Sequence, residues 1–440
     1  MADFARSDDA AVQAQLERLG SSIHSGDRLG LERIAALLDR LGRPQDALPP
    51  IFHVAGTNGK GSTCAFLRAA LEAAGLRVHV FTSPHLVRFN ERIRLAGTLI
   101  NDAQLAAILG EVLDLAGDIA PSFFEATTAA ALLAFARTPA DACILEVGLG
   151  GRLDATNVID RPLVCGIAGL ALDHQSWLGN RLGDIAGEKA GIAKRGVPLV
   201  TQRYPPHIAS RIARVANDAG ATWLPRGGEW DAIVSRGKLR YRDATGALVL
   251  PVPRLSGRHQ AMNAALAVAM LRHQQVLTVP PGALHAAMAM ADWPARLQKL
   301  DQGPLLAPLP AGTELWIDGG HNPAAACQVA AFVRTAFADA TPFHILFASL
   351  TSKDAAAVLA PFAGLNATIH TLPIVDHDCR NPRDLAAMAE AQGFTAFPHA
   401  TLAEALARIT SSATQPVRIL AFGSLYLAGE ILAANDQRPE

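Results

Sequence analysis

The order of apolar and polar residues along the chain predicts alternating strands and helices. The run "IFHVAG" (51–56) is β-branched and aromatic and ends in glycine, and residues 60–75 then show helical apolar spacing. Three further apolar runs are short and nearly continuous: "RVHVFTS" (77–83), "DACILEVG" (141–148) and "LVCGIAGLAL" (163–172). Strands of this kind, separated by helices, indicate a parallel sheet covered on both faces.

A second set of strands follows an interruption. Residues 227–253 alternate with period two and contain turn signals, which predicts a hairpin excursion. Two helices come next (259–275 and 280–291), and a new alternating set begins near "LWIDGG" (315–320) and runs through "RILAFGS" (418–424). We therefore predict an α/β protein with an N-terminal domain, 1–295, and a smaller Rossmann-like C-terminal domain, 296–440.

Composition narrows the class of protein. A chain of 440 residues is too long for one ordinary core, which agrees with two domains. It is 50% hydrophobic and 18% charged, with a net charge of -1 and no basic or acidic tail, so a nucleic-acid partner is not expected. No apolar run reaches the roughly 18 residues of a membrane span, and the start lacks a signal peptide. The five scattered cysteines fit reduced thiols in a cytoplasmic protein.

The stretch "GTNGKGS" (56–62) lies between a predicted strand and a predicted helix. The start of a helix offers unbonded N–H groups and a positive dipole end, and glycine lets the backbone approach phosphate oxygens closely. Lys60 would pair with the β- and γ-phosphates, and Ser62 or Thr63 would reach a phosphate or metal-bound oxygen. The spacing differs from the common phosphate loop, which has four residues between its first glycine and the Gly-Lys pair. The alternative is a glycine-rich turn that only caps a helix.

Polar residues follow other predicted strands. Ser83 ends one strand, Glu146 ends the next, and Asp173 and His174 follow a third. Ligands bind at the carboxyl ends of parallel strands, and magnesium prefers hard oxygen ligands, so Ser83 and Glu146 beside a phosphate loop suggest a magnesium shell. The alternatives are an ordinary Ser-Pro turn, a structural ion pair and a core histidine.

Lys189 stands in "GEKAGI", within an Ala-rich helix that we expect to be buried. A free ammonium group is costly in such surroundings. The lysine therefore either pairs with a carboxylate or is chemically modified to carry the opposite charge.

Taken together, these segments resemble the folylpolyglutamate synthases and dihydrofolate synthases of the Mur-ligase superfamily. The motifs "GTNGKGS", "TSPHL", "EVGLGGRLDATN", "EKAGI", "DGGHNP" and "GSLYLAGE" appear in the family's order, and the resemblance spans about residues 22–430. "GTNGKGS" is shared across the superfamily, whereas "EVGLGGRLDATN" and "EKAGI" are more specific to the folate branch. The shorter phosphate loop is thus the form that this superfamily uses, and a Mur-ligase-type ATPase domain is implied for 1–295.

The resemblance implies roles for individual residues. ATP would be held by Thr57, Asn58, Gly59, Lys60, Gly61, Ser62, Asn263, Arg296 and Asp318. Two magnesium ions would be held by Ser83, Glu146, His174 and a carbamylated Lys189. The pterin would be held by Ser22, Ile23, His24, Ser25, Ser122, Phe124, Leu153, Asp154 and Ala155. Glutamate would be held by Arg92, His321 and Ser424, and the catalytic residues would be Lys60, Lys189 and His321.

This chain departs from the family at three positions. The Gly-Arg pair before the second domain is Ala295-Arg296, the Asp-Lys-Asp run begins with Ser352, and "DGGHNP" has Gly320 where alanine is common. None of these changes removes a charged role, but Ser352 lacks the carboxylate that the family has in this loop.

The implied activity is ATP-dependent amide formation between L-glutamate and dihydropteroate, and then between further glutamates and reduced folates, through an acyl phosphate. We expect a cytoplasmic monomer that serves folate biosynthesis and one-carbon metabolism, with ATP as substrate, magnesium as cofactor and K⁺ as a candidate monovalent cation. The alternatives are a single-function folylpolyglutamate synthase, a cell-wall Mur-type amino-acid ligase and a nucleotide-driven switch. "GGRLDATN" (150–157) and the lack of a domain for a nucleotide sugar oppose the cell-wall ligase.

Overall fold

The computed structural model describes residues 6–21 and 29–440, and these form two compact units. The first unit comprises the chain up to Arg254, His259–Asp292 and Glu440, and the second comprises Leu255–Arg258 and Trp293–Pro439. The chain therefore passes into the second unit between Asp292 and Trp293. The division into functional domains at 295/296 stays a prediction.

Seventeen strands are described. They are β1 (Ile51–Ala55), β2 (Val78–Phe81), β3 (Ile93–Leu95), β4 (Thr98–Leu99), β5 (Ala142–Glu146), β6 (Val164–Ile167), β7 (Pro198–Thr201), β8 (Thr222–Pro225), β9 (Trp230–Ser235), β10 (Lys238–Asp243), β11 (Gly246–Pro251), β12 (Gln298–Leu300), β13 (Glu314–Ile317), β14 (Phe343–Phe347), β15 (Ala367–Thr371), β16 (Thr395–Pro398) and β17 (Arg418–Phe422).

Fifteen α-helices connect or cover these strands in the described part of the chain. They are α1 (Ala10–Ser21), α2 (Glu32–Arg40), α3 (Lys60–Ala73), α4 (Asp102–Ala116), α5 (Phe123–Arg137), α6 (Gln175–Leu178), α7 (Leu182–Ala190), α8 (Pro206–Ala219), α9 (Arg258–Arg272), α10 (Pro281–Met290), α11 (Pro323–Ala336), α12 (Ala355–Leu359), α13 (Pro382–Ala391), α14 (Leu402–Ser412) and α15 (Leu425–Ala434).

The first unit is built on an eight-stranded sheet in the order β4-β3-β2-β5-β1-β6-β7-β8. The six strands from β2 to β8 in this order are parallel, and the short strands β3 and β4 add an antiparallel edge. The mostly parallel sheet predicted from the apolar runs is confirmed. Because β2, β5, β1 and β6 are adjacent and parallel, their carboxyl ends lie along one edge of the sheet.

Helices bury the apolar faces of this sheet. One core cluster joins apolar residues of α1, α2, α4 and α5, including Leu37, Leu109 and Phe135, to residues of β2 and β5. Another joins α7 and α8, through residues such as Ile208 and Ile212, to β6 and β7. The strands are apolar along their whole length because neighbouring strands, and helices on both faces, surround them.

Residues 230–251 form a three-stranded antiparallel meander, β9-β10-β11, where the sequence predicted a hairpin. The period-two alternation runs through all three strands, so it does not show whether the segment contains two strands or three. Trp230 and Tyr241 pack on one face with their ring centroids 5.9 Å apart. Ile233 and Val249 lie on the other face, opposite Arg240, and are 53% and 55% exposed.

The second unit has a six-stranded sheet in the order β12-β13-β17-β14-β15-β16. Only β12 is antiparallel, which agrees with the predicted Rossmann-like arrangement. Its core packs α11, α12 and α13 against one face of the sheet through residues such as Val333, Phe362 and Phe422.

A chain of three histidines crosses this second sheet. His344 Nδ1 lies 3.1 Å from His370 Nε2, and His370 Nδ1 lies 3.0 Å from His399 Nε2. Burial lowers the pKa of His370 to about 3, and the other two histidines and Arg408 act in the same direction. The central imidazole is therefore uncharged in the folded protein near neutral pH.

None of the helices within 6–21 and 29–440 is long and apolar enough to cross a membrane.

Candidate active site

The predicted phosphate loop leaves β1 at Ala55 and enters α3 at Lys60. Gly56 and Gly59 have φ of +152° and +87°, a region that side-chain-bearing residues avoid. A Cβ on Gly56 would stand 2.9 Å from Ala168 Cβ, and one on Gly59 would collide with Asn263 Oδ1. Both glycines are thus required by conformation and by close packing.

The start of α3 presents N–H groups toward the loop. The first intrahelical bond is donated by Thr63 N to Gly59 O at 2.9 Å, so the N–H groups of Lys60, Gly61 and Ser62 precede it. A helix of 14 residues carries a positive dipole end at this point. The geometry suits an anion such as a phosphate group.

Thr57 and Asn58 are held by the segment that follows β6. Their backbone N–H groups both donate to Gly169 O, at 2.7 and 3.1 Å. The Thr57 hydroxyl donates to Ala171 O at 3.0 Å and accepts from Ala171 N at 3.1 Å. These two N–H groups therefore hold the loop in shape. Any contact of Thr57 or Asn58 with a phosphate would have to use other atoms, and it stays a prediction.

Two lysines converge on one carbonyl oxygen of the loop. Lys60 Nζ donates to Gly56 O at 3.1 Å, and Lys189 Nζ, from α7, donates to the same oxygen at 3.0 Å. Lys189 is 4% exposed. Burial lowers its pKa to about 7; Lys60 acts in the same direction, and Asp173 and Asp154 oppose the shift. A lysine that is partly uncharged at neutral pH thus lies beside the phosphate loop.

Three of the four predicted magnesium ligands end or follow strands at this edge. Ser83 comes two residues after β2, and Glu146 is the last residue of β5 and is 4% exposed. His174 follows β6, has φ of +49°, and donates its backbone N–H to Asp173 Oδ1 at 2.9 Å. Because β2, β5, β1 and β6 are adjacent, these residues and Gly56 belong to one edge.

No group of three His, Cys, Asp or Glu residues in the described ranges is close enough to hold a metal ion. The predicted set has only one carboxylate and one imidazole, so this finding does not test it and the set stays a prediction. A hydroxyl, a lysine-derived group, water and substrate oxygens would have to complete the shell, and magnesium commonly keeps several waters.

Asn263 meets the phosphate loop from α9. It is 7% exposed, its Oδ1 faces Gly59, and its Nδ2 donates to Gln260 Oε1 at 3.0 Å. Gln202, after β7, donates to Met262 O at 2.7 Å and anchors the same turn of the helix. The sequence predicted Asn263 but neither Gln202 nor Gln260. The only sequence signal for Gln260 was its place one helical turn before Asn263.

Ser122 and Phe124 lie at the start of α5. Ser122 Oγ accepts from Glu125 N at 3.2 Å, and Glu125 Oε2 accepts from Ser122 N at 2.6 Å, which makes a capping box. The half-buried Phe124 ring lies 5.9 Å from that of Phe81, and it fills the space that a Cβ on Gly148 would need. Ser122 therefore has a local structural role, and Phe124 packs against the loop that follows β5.

That loop, 148–157, which we call the pterin-side loop, is shaped by Asp154. Asp154 Oδ2 accepts from Leu149 N at 2.8 Å, and Oδ1 accepts from Thr156 N at 3.0 Å and Thr156 Oγ1 at 2.5 Å. Asp154 is 3% exposed, and burial raises its pKa. The carboxylate that we expected to bind the pterin already accepts three internal hydrogen bonds, and the contact with a pterin stays a prediction.

Leu153 and Ala155 flank Asp154, half-buried and buried respectively. The predicted segment Ser22–Ser25 lies outside the described residues.

Arg92, assigned to glutamate, is 1% exposed in the first unit. Its Nε donates to His85 Nδ1 at 2.9 Å, and its guanidinium lies over the rings of Phe89 and Phe123, at 5.3 and 5.5 Å from the centroids. Its surroundings are those of a core cation, so a direct contact with glutamate stays a prediction.

In the second unit, Asp318 organises the turn that carries Arg296. Asp318 Oδ2 accepts from Leu297 N at 2.9 Å, and Oδ1 accepts from Gly320 N at 2.7 Å. Ala295 and Leu297, on either side of Arg296, have φ of +56° and +45°. The half-buried Arg296 therefore projects from a strained turn that Asp318 holds in place.

His321 and Ser424 also follow strands of the second sheet. His321 Nδ1 is 3.0 Å from Gly319 O, and since a carbonyl only accepts, Nδ1 carries a proton. Ser424 is 3% exposed and caps α15, with its Oγ accepting from Tyr426 N at 3.1 Å. Each residue thus forms a local hydrogen bond, and the contacts of both with glutamate stay a prediction.

Comparisons with known proteins place the chain. No family model matches it. It is 40% identical over 299 residues, 68% of this chain and 67% of the relative, to the dihydrofolate synthase/folylpolyglutamate synthase of Escherichia coli (strain K12). A structure of E. coli FolC in complex with DHPP and ADP is 33% identical, with a TM-score of 0.86, covering 97% of this chain and 98% of that chain.

A structure of a bifunctional folylpolyglutamate synthase/dihydrofolate synthase with Mn, AMPPNP and L-glutamate bound is also similar. It is 32% identical and has a TM-score of 0.84, covering 96% of this chain and 97% of that chain. Identity at this level over most of the chain, with the same fold, establishes common membership: this chain belongs to the dihydrofolate synthase/folylpolyglutamate synthase family.

Proposed function

We propose that this protein joins L-glutamate to dihydropteroate, and then further glutamates to reduced folates, at the expense of ATP. The observation that carries the proposal is the convergence of Lys60 and Lys189 on Gly56 O at the start of α3. Membership of the family supports it, as do the ADP and DHPP in one similar structure and the AMPPNP and L-glutamate in another.

The reaction begins with activation of a carboxylate. An oxygen of the pterin-linked carboxylate attacks the γ-phosphorus of ATP, the bond from that phosphorus to ADP breaks, and an acyl phosphate forms. The glutamate amine then attacks the acyl carbon, and phosphate leaves with the electrons of the C–O bond. Lys60 and the N–H groups at the start of α3 would offset charge on the phosphoryl group, because a lysine and a helix N-terminus both favour an anion.

A divalent cation completes the site in this proposal. Ser83, Glu146 and His174 would hold it, since all three follow strands that end beside the phosphate loop, and a similar structure contains Mn. When bound, the cation neutralises phosphate charge. Magnesium is our choice because hydroxyl, carboxylate and water are ligands that it accepts. Two ions and a monovalent cation such as K⁺ stay predictions.

Lys189 is suited to carbamylation. Because its pKa is lowered to about 7, roughly half of the amine is uncharged at neutral pH and can attack carbon dioxide. The nitrogen lone pair forms the N–C bond, one proton leaves, and the product is a carbamate anion. As an ammonium group, Lys189 is repelled by Lys60, whereas the carbamate anion would be attracted to it. The carbamate would also supply oxygen ligands for the metal.

The second unit would supply groups for the nucleotide and for glutamate. Arg296 would contact ATP, with Asp318 holding its turn, and His321 and Ser424 would contact glutamate. His321 is our candidate to accept the proton that the glutamate amine loses, because an imidazole is a common proton acceptor.

The test is ADP formation by purified protein with ATP and magnesium. We expect turnover that needs both L-glutamate and a pterin acceptor, and that accepts either dihydropteroate or a reduced folate. Product from only one acceptor would reduce the proposal to a single function. ADP formation that ignores glutamate and acceptor would instead indicate a nucleotide-driven switch.

A further inference from the structure

His53 is a buried histidine in the middle of β1. It is 0% exposed, and it stands opposite Leu145 of β5 and Cys165 of β6, three residues before Gly56. Nothing in the proposed chemistry uses it. A histidine on an apolar strand commonly serves only to fill the core, but His53 also forms a buried hydrogen bond to another element.

That bond leads into the pterin-side loop. His53 Nε2 lies 2.8 Å from Thr156 Oγ1, and Thr156 Oγ1 lies 2.5 Å from Asp154 Oδ1. Both oxygens of Asp154 accept backbone N–H groups, so the carboxylate acts as an acceptor, and the single hydroxyl proton of Thr156 points to it. The contact between His53 and Thr156 therefore requires His53 Nε2 to donate.

The tautomer of His53 is fixed by its surroundings. Nδ1 is buried and has no hydrogen-bond partner within the described ranges, so a proton placed there would lack an acceptor. Burial also lowers the pKa of His53 to about 3, and Lys194 acts in the same direction. His53 is thus a neutral ring with its proton on Nε2 throughout the physiological range.

We propose that His53 is a positioning residue for the pterin side of the site. Its Nε2–H holds the Thr156 oxygen so that the hydroxyl is committed to Asp154, and Asp154 in turn ties down Leu149 N and the start of the loop. The strand that ends in the phosphate loop thereby sets the conformation of the loop that carries Leu153, Asp154 and Ala155. The inference rests on the proposed function, in which that loop contacts the pterin.

The chain offers a matched control on β2, which β5 separates from β1 in the same sheet. His79 of β2 is also 0% exposed, but its Nε2 donates to Thr138 O at 2.9 Å and its Nδ1 accepts from Ala96 N at 3.1 Å. Both partners are backbone atoms outside the pterin-side loop. A purely structural role for buried histidines in this sheet would make changes at 53 and 79 alike in their kinetic effects.

The kinetic test compares His53→Leu, His53→Gln and His79→Leu. Leucine removes the donor, and we expect the KM for dihydropteroate to rise about tenfold while the KM for ATP and kcat change less than about threefold. Glutamine places an amide N–H near the position of Nε2, so it should restore most of the affinity. His79→Leu should lower thermal stability without separating the two KM values. Equal losses for ATP and dihydropteroate in His53→Leu, or no rescue by glutamine in a folded variant, would overturn the proposal.

A second measurement needs no variant. In ¹⁵N-labelled parent protein, His53 should show a protonated Nε2 and an unprotonated Nδ1 from pH 5 to pH 8, with slow exchange of the Nε2 proton. A proton on Nδ1, or titration of the ring in this range, would refute the inference. A parent enzyme that makes no product from any pterin acceptor would refute the proposed function instead, and it would leave the assignment of the tautomer standing.

Discussion

The phosphate loop and the pterin-side loop lie along the same edge of one sheet, yet they are held by different means. The phosphate loop, 56–62, is shaped by glycine conformations, by Gly169 O and by the start of α3. The pterin-side loop, 148–157, is shaped by side chains, with Asp154 and Thr156 at its centre and His53 reaching in from another strand. We therefore expect the phosphate loop to tolerate few changes that alter its backbone conformation. The pterin-side loop should tolerate few changes that remove a hydrogen-bonding side chain.

The largest effect should come from the lysine that touches the phosphate loop from outside. Lys189→Ala removes the proposed carbamate, and we expect turnover to fall by at least about a hundredfold. A short carboxylic acid such as acetate should partly restore it by supplying the missing oxygens. Steady-state ADP formation measures both.

Lys194→Ala is the control for this experiment. Lys194 is also partly buried, and its Nζ donates to Asn157 O at 3.1 Å, but it does not touch the phosphate loop. Its variant should show no rescue by carboxylic acids. A carbamate carbon signal from labelled bicarbonate in the parent, absent in Lys189→Ala, would support the assignment, and a bare ammonium group in the active, metal-bound enzyme would end it.

The next effect tests the backbone-built loop directly. Gly59→Ala must place a side chain at φ of +87° and against Asn263, so we expect the KM for ATP to rise about tenfold and the free energy of unfolding to fall by about 2–3 kcal/mol. Gly75→Ala is the control: its φ is +83°, but no atom lies within 4 Å of the added Cβ. It should cost about 1 kcal/mol and leave ATP binding unchanged.

A smaller effect is expected on the side-chain-built loop. Phe124→Ala removes a ring that can stack on a flat pterin, and the KM for dihydropteroate should rise about fivefold with little change for ATP. Gly148→Ala should mimic it in part, because the new Cβ displaces the same ring. Equal losses for both substrates in Phe124→Ala would show that the ring supports the fold instead.

The smallest effect is expected from relieving backbone strain at Ala295 in the second unit. Ala295 occupies φ of +56° beside Arg296, at a position where the family resemblance expects glycine. Ala295→Gly should relieve strain and raise the free energy of unfolding by about 0.5–1 kcal/mol. Ala120→Gly, at φ of +47° in the first unit, should give a similar gain, and thermal or urea unfolding measures both. A loss of stability in Ala295→Gly would show that the methyl group of Ala295 has a packing role.

The contrast between the loops also explains what the sequence could predict. The parallel sheet and the strand–loop–helix around Lys60 follow from local patterns, because apolar runs and glycine spacing act over a few residues. The third strand of the meander was missed because a period-two pattern does not count turns. Gln260 and the bond from His53 to Thr156 could not be foreseen, since residues 53 and 156 meet only after β1 has been placed beside the loop that follows β5.

The three-histidine chain of the second unit has a consequence for proton counting. Each neutral imidazole carries one N–H proton, so the central His370 donates one of its two hydrogen bonds and accepts the other. Both hydrogen bonds therefore point the same way along the chain. The terminal ring that donates has a second nitrogen without a proton, and one extra proton can bind there without breaking either hydrogen bond. A second extra proton would have to break one of them.

The folded chain resists protonation at all three rings, because burial lowers the pKa of His344 and His399 and brings that of His370 to about 3 from its usual 6.5. The unfolded chain binds more protons below pH 6.5, so the stability that these contacts contribute is complete above that pH and is lost as the pH falls toward 3. At the His399 end, burial lowers the pKa of the ring, Arg408 of α14 acts in the same direction, and Glu404 of α14 opposes the shift. The second unit therefore has one further proton-binding position at the end of this chain, which stays empty at neutral pH and which acid must fill at a cost in stability.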